Sequence, residues 1–388
     1  MNLETKIDSI NAEIKDNKLV IHSKIPLRIL SSAVLNGGPC DSKCIVNVQV
    51  SEDAGSDLED HVHKEAGDFL EDEIVKMGLP KEAVVAIMTA AKMKNVEVVN
   101  IKFEDLKVTT FVTAGAYFAA TAGDEIASKQ TAFPTNKWGT INIIILIDAN
   151  LEDNCMVNAV VTATEAKASA LRELDVRSRF SGEVATGTVT DSVVIASTKR
   201  GPKIQYAGTG TIIGELIGKS VKKALKKAIF KQEKLISNRP LTKRLEERGV
   251  TVEGMTTLFS QIRPMIRENP EKREQFRKEL EQILSDQNIA ALVIAGLRLD
   301  DDARANLIPQ KSKKSTTDYD RSFNLSKILQ KSVLDYMSKN NKSSKLVRPD
   351  YLSSISSDKL GWFSRSVLSA IMYSVYSNII IKQSNEEE

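Results

Sequence analysis

The sequence predicts an α/β (α+β) N-terminal domain followed by a mainly α-helical C-terminal domain. Three observations carry this expectation. Up to about residue 236, short β-branched runs alternate with stretches of helical periodicity. One of those runs, "GTINIIILIDA", contains five consecutive aliphatic residues, typical of a strand buried on both faces. Beyond about residue 240 only helical periodicity remains. A chain of 388 residues also exceeds one typical core, so the division expected is residues 1–236 and 237–388.

Residues 1 to about 50 read as strands: "KLVIHSK", "LRILSSAVLNGG" and "CIVNVQV", separated by Pro26 and by the turn "NGGPCDSK". "HVHKEAGDFLEDEIVKMGLP" is an amphipathic helix stopped by Gly78 and Pro80, and "KEAVVAIMTAAKMK" reads as a second, short helix. Strands resume with "VEVVNIKF", "KVTTFVTAGAY" and the aliphatic run. A helix is expected from about Glu152 to Leu174, after which "VVIAS" and "KIQYAG" return to the sheet.

From Gly214 to Lys234 the pattern becomes "GELIGKSVKKALKKAIFKQEK", with Ile217, Val221, Ala224, Leu225, Ala228 and Ile229 on one face and seven lysines around it. A single aromatic, Phe230, stands among those lysines, so the stretch reads as a solvated basic helix closing the first domain. In the second domain, Thr251 with Gly254 marks a capped helix start. "PQKSKKSTTDYD" reads as a loop before two last helices.

Composition narrows the function classes. A formal charge of +3 is too small for a nucleic-acid surface, so no nucleic-acid partner is expected. "SVLSAIMYSVYSNIII" is shorter than the roughly 20 apolar residues of a membrane span and carries serines and tyrosines, so it reads as a buried helix. The polar start "MNLETKIDSINAEIKD" does not read as a secretory signal, and Cys40, Cys44 and Cys155 form no even framework; a cytoplasmic location follows as an expectation. The oligomeric state is not legible.

Candidate site residues come from several places. His61 and His63, beside Asp60, are two apart and point to different faces of a helix, so no metal site is expected from them with Cys40 or Cys44. In "LNGG", Gly37 and Gly38 let backbone approach a ligand and Asn36 can orient a carbonyl, although the same motif makes a hairpin turn. Thr113, Asp124, Thr140 and Asn142 fall at or near strand ends, where α/β proteins bind ligands. "TATEAKASALRELDVRSRFSGEVATGTVTD" says more. Thr164, Glu165 and Lys167 gather a hydroxyl, a carboxylate and an ammonium within one and a half turns, or are ordinary solvent-facing residues of a helix. Thr186, Thr188, Thr190 and Asp191 then surround Gly187, in a loop suited to an oxygen-rich ligand or in a plain β-turn.

Taken together, "SSAVLNGG", "MTAA", "VTAGA", "AGD", "GTINIIILIDANL", "VTATEAKASALRELDVRSRFSG", "ATGTVTD" and "GELIGKSVKKAL" resemble, in order and spacing, the archaeal adenosylcobinamide amidohydrolases from about residue 20 to residue 228. The resemblance implies hydrolysis of the amide between the corrin ring and aminopropanol in adenosylcobinamide, within corrinoid salvage for coenzyme B12 synthesis. Such chemistry needs an activated nucleophile, a donor for the oxyanion and an acid for the leaving amine. Glu165 is the expected base, Lys167 the oxyanion or leaving-group donor, and Asn36 with the Gly37 and Gly38 amides the holder of the carbonyl. Thr186, Thr188 and Asp191 form a rival set, with Thr188 as nucleophile oriented by Asp191. Thr113, Asp124, Asn142, Thr164 and Thr186 are the expected substrate contacts, and no metal or other cofactor is implied for this domain. A non-catalytic corrinoid-binding protein is the alternative; the presence of Glu165, Lys167 and the threonine loop argues against it.

Residues 238 to 380 resemble, more loosely, the α-ribazole-5′-phosphate phosphatase of archaeal coenzyme B12 synthesis, itself similar to phosphatidylglycerophosphatase A, and "LTKRLEERGVTVEGM" and "LSAIMYSVYS" carry the likeness. Fusions of the two domains act as bifunctional enzymes, and that family holds Mg²⁺ on paired acidic groups. Here "LSKILQKSVLDYM" and "SSDKLGW" stand in their place, with Lys359 beside Asp358 and with Asp318, Asp320 and Asp335 nearby. A lysine where a metal ligand belongs repels the ion, so weak or absent phosphatase activity is expected, with Mg²⁺ entering only if that activity exists. Asp300, Asp301 and Asp302 read as a solvated helix end.

Overall fold

A computed structural model describes residues 1–50, 62–125, 139–308, 325–338 and 360–386. The chain forms two compact units, Met1–Ser237 and Asn238–Glu388. The first is α/β and the second helical, as the sequence predicts.

In the first unit the strands are β1 (Asn2–Leu3), β2 (Ile10–Lys15), β3 (Lys18–Ser31), β4 (Gly38–Gln49), β5 (Val84–Thr89), β6 (Glu97–Phe103), β7 (Leu106–Ala114), β8 (Ala119–Ala120), β9 (Ile141–Ile147), β10 (Asn150–Leu151), β11 (Gly187–Thr188), β12 (Ser192–Ser197) and β13 (Lys203–Ile204). The helices are α1 (Val62–Lys76), α2 (Asp153–Glu173) and α3 (Ile212–Glu233). The main sheet runs β1-β2-β3-β12-β9-β7-β6, with β4 on β3 and β5 on β4. β3 is the joint of the sheet: its first half pairs with β2, its second half with β12, and β4 follows both halves.

The period-two alternation of each strand sorts its side chains into three cores. Ile143 and Ile145 of β9, Val193 and Ile195 of β12 and Val112 of β7 face α2 and α3. Ile144, Val194 and Phe111, one residue out of phase, instead meet Ile21, Ile45 and Ile87 from the other half of the sheet. The outer face of β4 and β5 packs Val46, Val84 and Ala86 against Leu70 and Ile74 of α1. The layers are therefore helix, sheet, sheet, helix, and β9 is buried on both faces as its aliphatic run predicts.

Three local expectations are corrected. "KLVIHSK" and "LRILSS" are one strand: Pro26 falls where the register shifts between His22 and Leu27, a bulge that tolerates a residue without an N–H. The short helix expected over "KEAVVAIMTAAKMK" is the strand β5 preceded by a single 3₁₀ turn, Lys81–Ala83, because "VVAI" is buried on both faces between α1 and the inner core. "KIQYAG" does not rejoin the main sheet; two of its residues pair in parallel with β10.

The second unit contains α4 (Leu241–Glu246), α5 (Val252–Ile262), α6 (Pro264–Glu268), α7 (Pro270–Leu284), α8 (Gln287–Arg304), α9 (Leu325–Ser338) and α10 (Trp362–Glu386). Thr251 caps α5 by accepting from Gly254 N–H, as expected. Asp300 corrects the reading of "DDD". It is 3% exposed and accepts from the N–H groups of Gly361, Phe363 and Ser364 at 3.1, 2.8 and 3.1 Å, so it closes the N-terminus of α10 from a different helix. Burial pushes its carboxyl up, against the pull of these bonds. Only Asp301 and Asp302 remain at the surface end, where Asp301 pairs with Arg304 at 2.5 Å. Asp60, His61, Asp318, Asp320, Asp358, Lys359 and the "PQKSKKSTTDYD" tract lie outside the described residues.

Replacing Asp300 by Ala leaves three N–H groups at the α10 terminus without their acceptor. The expected loss is about 2 kcal/mol or more, read by urea unfolding; an unchanged midpoint would contradict the capping role.

Candidate active site

The strand ends nearest Gly139 and Asp191 collect most of the residues expected from sequence. Ser192 of β12 lies beside Asn142 of β9, and Asn142 beside Thr113 of β7. Ser32 N–H donates to Val193 O and the Ser32 hydroxyl accepts from Val193 N–H, both at 3.0 Å, which brings the "SSAVLNGG" segment to the same end.

Asp191 organises this end. Its Oδ2 accepts from Lys167 Nζ at 2.5 Å and from Thr188 N–H at 3.0 Å. Its Oδ1 accepts from the Thr188 hydroxyl and from Ile141 N–H at 3.1 Å. The pair is enclosed, Lys167 and Asp191 side chains being 9% and 10% exposed. Gly187 makes the enclosure fit: a Cβ there would stand 2.5 Å from Asp191 Oδ2 and 2.8 Å from Lys167 Nζ. Next to it the hydroxyls of Thr140 and Thr190 meet at 2.8 Å.

The chemistry of this cluster follows from its donors. Four donors occupy the two oxygens of Asp191, which fixes the carboxylate and aims the Thr188 lone pairs away from it. Lys167 has three N–H donors and gives one to Asp191; no other acceptor for them stands among the described residues. A nearly buried ammonium with spare donors suits a carbonyl oxygen that is gaining negative charge.

Glu165 does not join this cluster. Two residues from Lys167 on α2, it is exposed and lines a cleft of about 710 Å³ between α2 and α3 with Lys219, Lys222 and Lys226. The expected gathering of Thr164, Glu165 and Lys167 is thus corrected, because positions two apart face opposite sides of a helix. Thr164 is exposed and its hydroxyl donates to Val160 O within α2 at 2.9 Å.

The other expected contacts hold the scaffold. Asn36, at φ +54°, donates its side-chain amide to Lys81 O and Val84 O at 2.6 and 2.7 Å, tying the β3–β4 turn to β5. Gly37 leaves no room for a Cβ against Ala33 O, and Gly38 has φ +82°. Thr186 accepts from Ala122 N–H at 2.9 Å, and Asp124 accepts from Thr121 N–H at 2.7 Å and the Ser178 hydroxyl at 2.6 Å, so both fasten the β8–β11 pair. Thr113 and Asn142 lie between the two sheet layers at 2% and 1% exposure. Asn47, their partner from β4, was missed; its inward phase in "CIVNVQV" is the signal that could have found it. Cys44 and Cys155 are buried thiols pushed up to about 11, which leaves them protonated and poor nucleophiles at neutral pH.

The adenosylcobinamide amidohydrolase family model matches residues 3–237 of this chain, the whole of the first unit but for its two first residues. The chain belongs to that family. It is 32% identical over 211 residues to an adenosylcobinamide amidohydrolase of Methanosarcina mazei, across 52% of this chain and 88% of that protein. It is 36% identical over 174 residues to the uncharacterized protein MJ1613 of Methanocaldococcus jannaschii, across 41% of this chain and 68% of that one. Among solved structures, an L-aminopeptidase D-Ala-esterase/amidase of Ochrobactrum anthropi is 11% identical, covers 58% of this chain and 84% of its own, and gives a TM-score of 0.26, too slight a likeness to bear on the chemistry.

Gly187→Ala forces the Lys167–Asp191 pair apart and is expected to remove most amidohydrolase activity while lowering the melting temperature by a few degrees. Full activity in a folded Gly187→Ala protein would show that the pair is not needed as it stands.

Proposed function

We propose that the first unit hydrolyses the amide joining aminopropanol to the corrin ring of adenosylcobinamide, giving adenosylcobyric acid and 1-aminopropan-2-ol, and so serves corrinoid salvage for coenzyme B12 synthesis. Family membership supports the amide chemistry. The observation that carries the mechanism is Asp191 holding both Thr188 and Lys167.

In this reading the Thr188 oxygen attacks the carbonyl carbon while its proton passes along the existing hydrogen bond to Asp191 Oδ1. The oxyanion takes the spare Lys167 donors. As the C–N bond breaks, the Asp191 proton goes to the nitrogen and 1-aminopropan-2-ol leaves. Water then attacks the threonine ester, releasing the carboxylic acid and restoring the hydroxyl. Asn36, Gly37, Gly38, Thr113, Asp124, Asn142, Thr164 and Thr186 act as scaffold in this scheme, and Glu165 has no part in bond cleavage.

Incubation with adenosylcobinamide, read by mass spectrometry, tests the reaction. Lys167→Met is expected to lower kcat by about 10²-fold or more, Thr188→Val to abolish turnover with Thr188→Ser partly active, and Glu165→Gln to stay within about two-fold. Turnover by Thr188→Val would move the attack to water, and a large loss in Glu165→Gln would restore the carboxylate as base.

For the helical unit we propose a structural or partner-binding role without phosphatase chemistry. The described acidic groups do not fit a Mg²⁺ site: Asp300 is used by the α10 terminus, Asp301 faces Arg298 and Arg304, and Asp335 is a lone exposed carboxylate. Mg²⁺-dependent release of phosphate from α-ribazole 5′-phosphate would refute this.

A further inference from the structure

The interior between the two halves of the sheet carries a polar island. Asn47, Thr89, Thr113 and Asn142 point inward, in phase with Ile45, Ile87, Phe111 and Ile144 of the inner core. None of the four is more than 2% exposed, so each polar atom depends on partners inside the protein.

Their bonds can be followed from one fixed point. Met88 O is a backbone carbonyl and can only accept, so the atom of Asn142 at 2.8 Å from it is the amide nitrogen. The same nitrogen donates to Asn47 Oδ1 at 3.1 Å. Asn47 Nδ2 therefore faces Thr113 Oγ1, at 3.1 Å. Thr113 can then pass its own proton to Thr89 Oγ1 at 3.4 Å, which also accepts from Ala91 N–H at 3.1 Å. The chain has one direction. Three capacities are left over: the hydroxyl proton of Thr89, the second proton of Asn47 Nδ2, and the one free acceptor, Asn142 Oδ1, buried with no donor among the described residues.

We infer that Asn142 Oδ1 is a binding position for one hydrogen-bond donor, a single water molecule held between β4 and β9. Water fits because the same island offers it a donor, Asn47, as well as the acceptor, and a buried water needs two or more polar partners. The water fixes the spacing of the sheet layers one residue from Ile141, whose N–H holds Asp191. It is part of the scaffold under the candidate site and does not depend on which substrate that site takes.

A crystal structure of the ligand-free full chain tests this directly. A density peak about 3 Å from Asn142 Oδ1 is expected, and an empty position would overturn the inference. After soaking with adenosylcobinamide the water should remain; replacement by an N–H of the corrinoid would overturn the scaffold role and make Asn142 a substrate contact. Two equally buried substitutions test the direction of the chain by melting temperature. Asn142→Asp sets a new oxygen against Met88 O, whereas in Asn47→Asp the Thr113 hydroxyl can turn and donate, so Asn142→Asp should melt several degrees lower or fail to fold where Asn47→Asp folds. Equal melting temperatures would overturn the assigned direction and with it the open oxygen.

Discussion

The first unit depends at its candidate site on one carboxylate held by three separate pieces of chain. Asp191 receives a side-chain donor from α2, two donors from Thr188 in β11 and a backbone donor from the start of β9. A buried charge is tolerated only when it is paired and fully bonded, and here the bonding is also what fixes the geometry. Removing any one donor would leave the others to hold a partly solvated anion. Lys167 in turn can be buried because Asp191 neutralises it, and its spare donors then have a direction.

That arrangement demands close approach, and the sequence provides it with small residues. The face of α2 that meets the sheet carries Ala159, Ala163, Ala166 and Ala170, which bring the helix axis near β9 and β12. Lys167 extends from that close-packed face along Gly187 to reach Asp191. A larger residue at either place would separate the charges, and the ammonium would then lose the carboxylate that neutralises it in a poorly solvated position.

Much of the fold was legible because burial leaves a pattern. The aliphatic run of β9, the helix over α2 and the helical second unit follow from periodicity. The failures have particular causes. "VVAI" in β5 looks like part of a helix when flanked by alanines and lysines, since a short apolar run buried on both faces has no period to betray it. Pro26 suggests a break where the chain accommodates it in a bulge. Within the site, Lys167, Thr188 and Asp191 were all legible as candidates and Thr188 was paired with Asp191, but the joining of Lys167 to that pair was not legible: it links residues 24 positions apart through a turn whose geometry the sequence does not specify. Glu165 shows the reverse. It stood beside Lys167 in sequence, and helix geometry sends the two to opposite sides.

Asp300 and Asn142 extend the same lesson to groups that look functional. Both are polar, buried and near strand or helix ends, the profile of ligand-binding residues. Asp300 has its oxygens matched by three backbone donors, so nothing is left to hold an ion. Asn142 is matched on its nitrogen, while its oxygen has no donor among the described residues, which leaves it room for one. What separates a scaffold residue from a site is therefore the donor and acceptor capacity left over after the protein's own bonds are counted, and by that measure Lys167 keeps donors and Asn142 an acceptor that the described residues do not use.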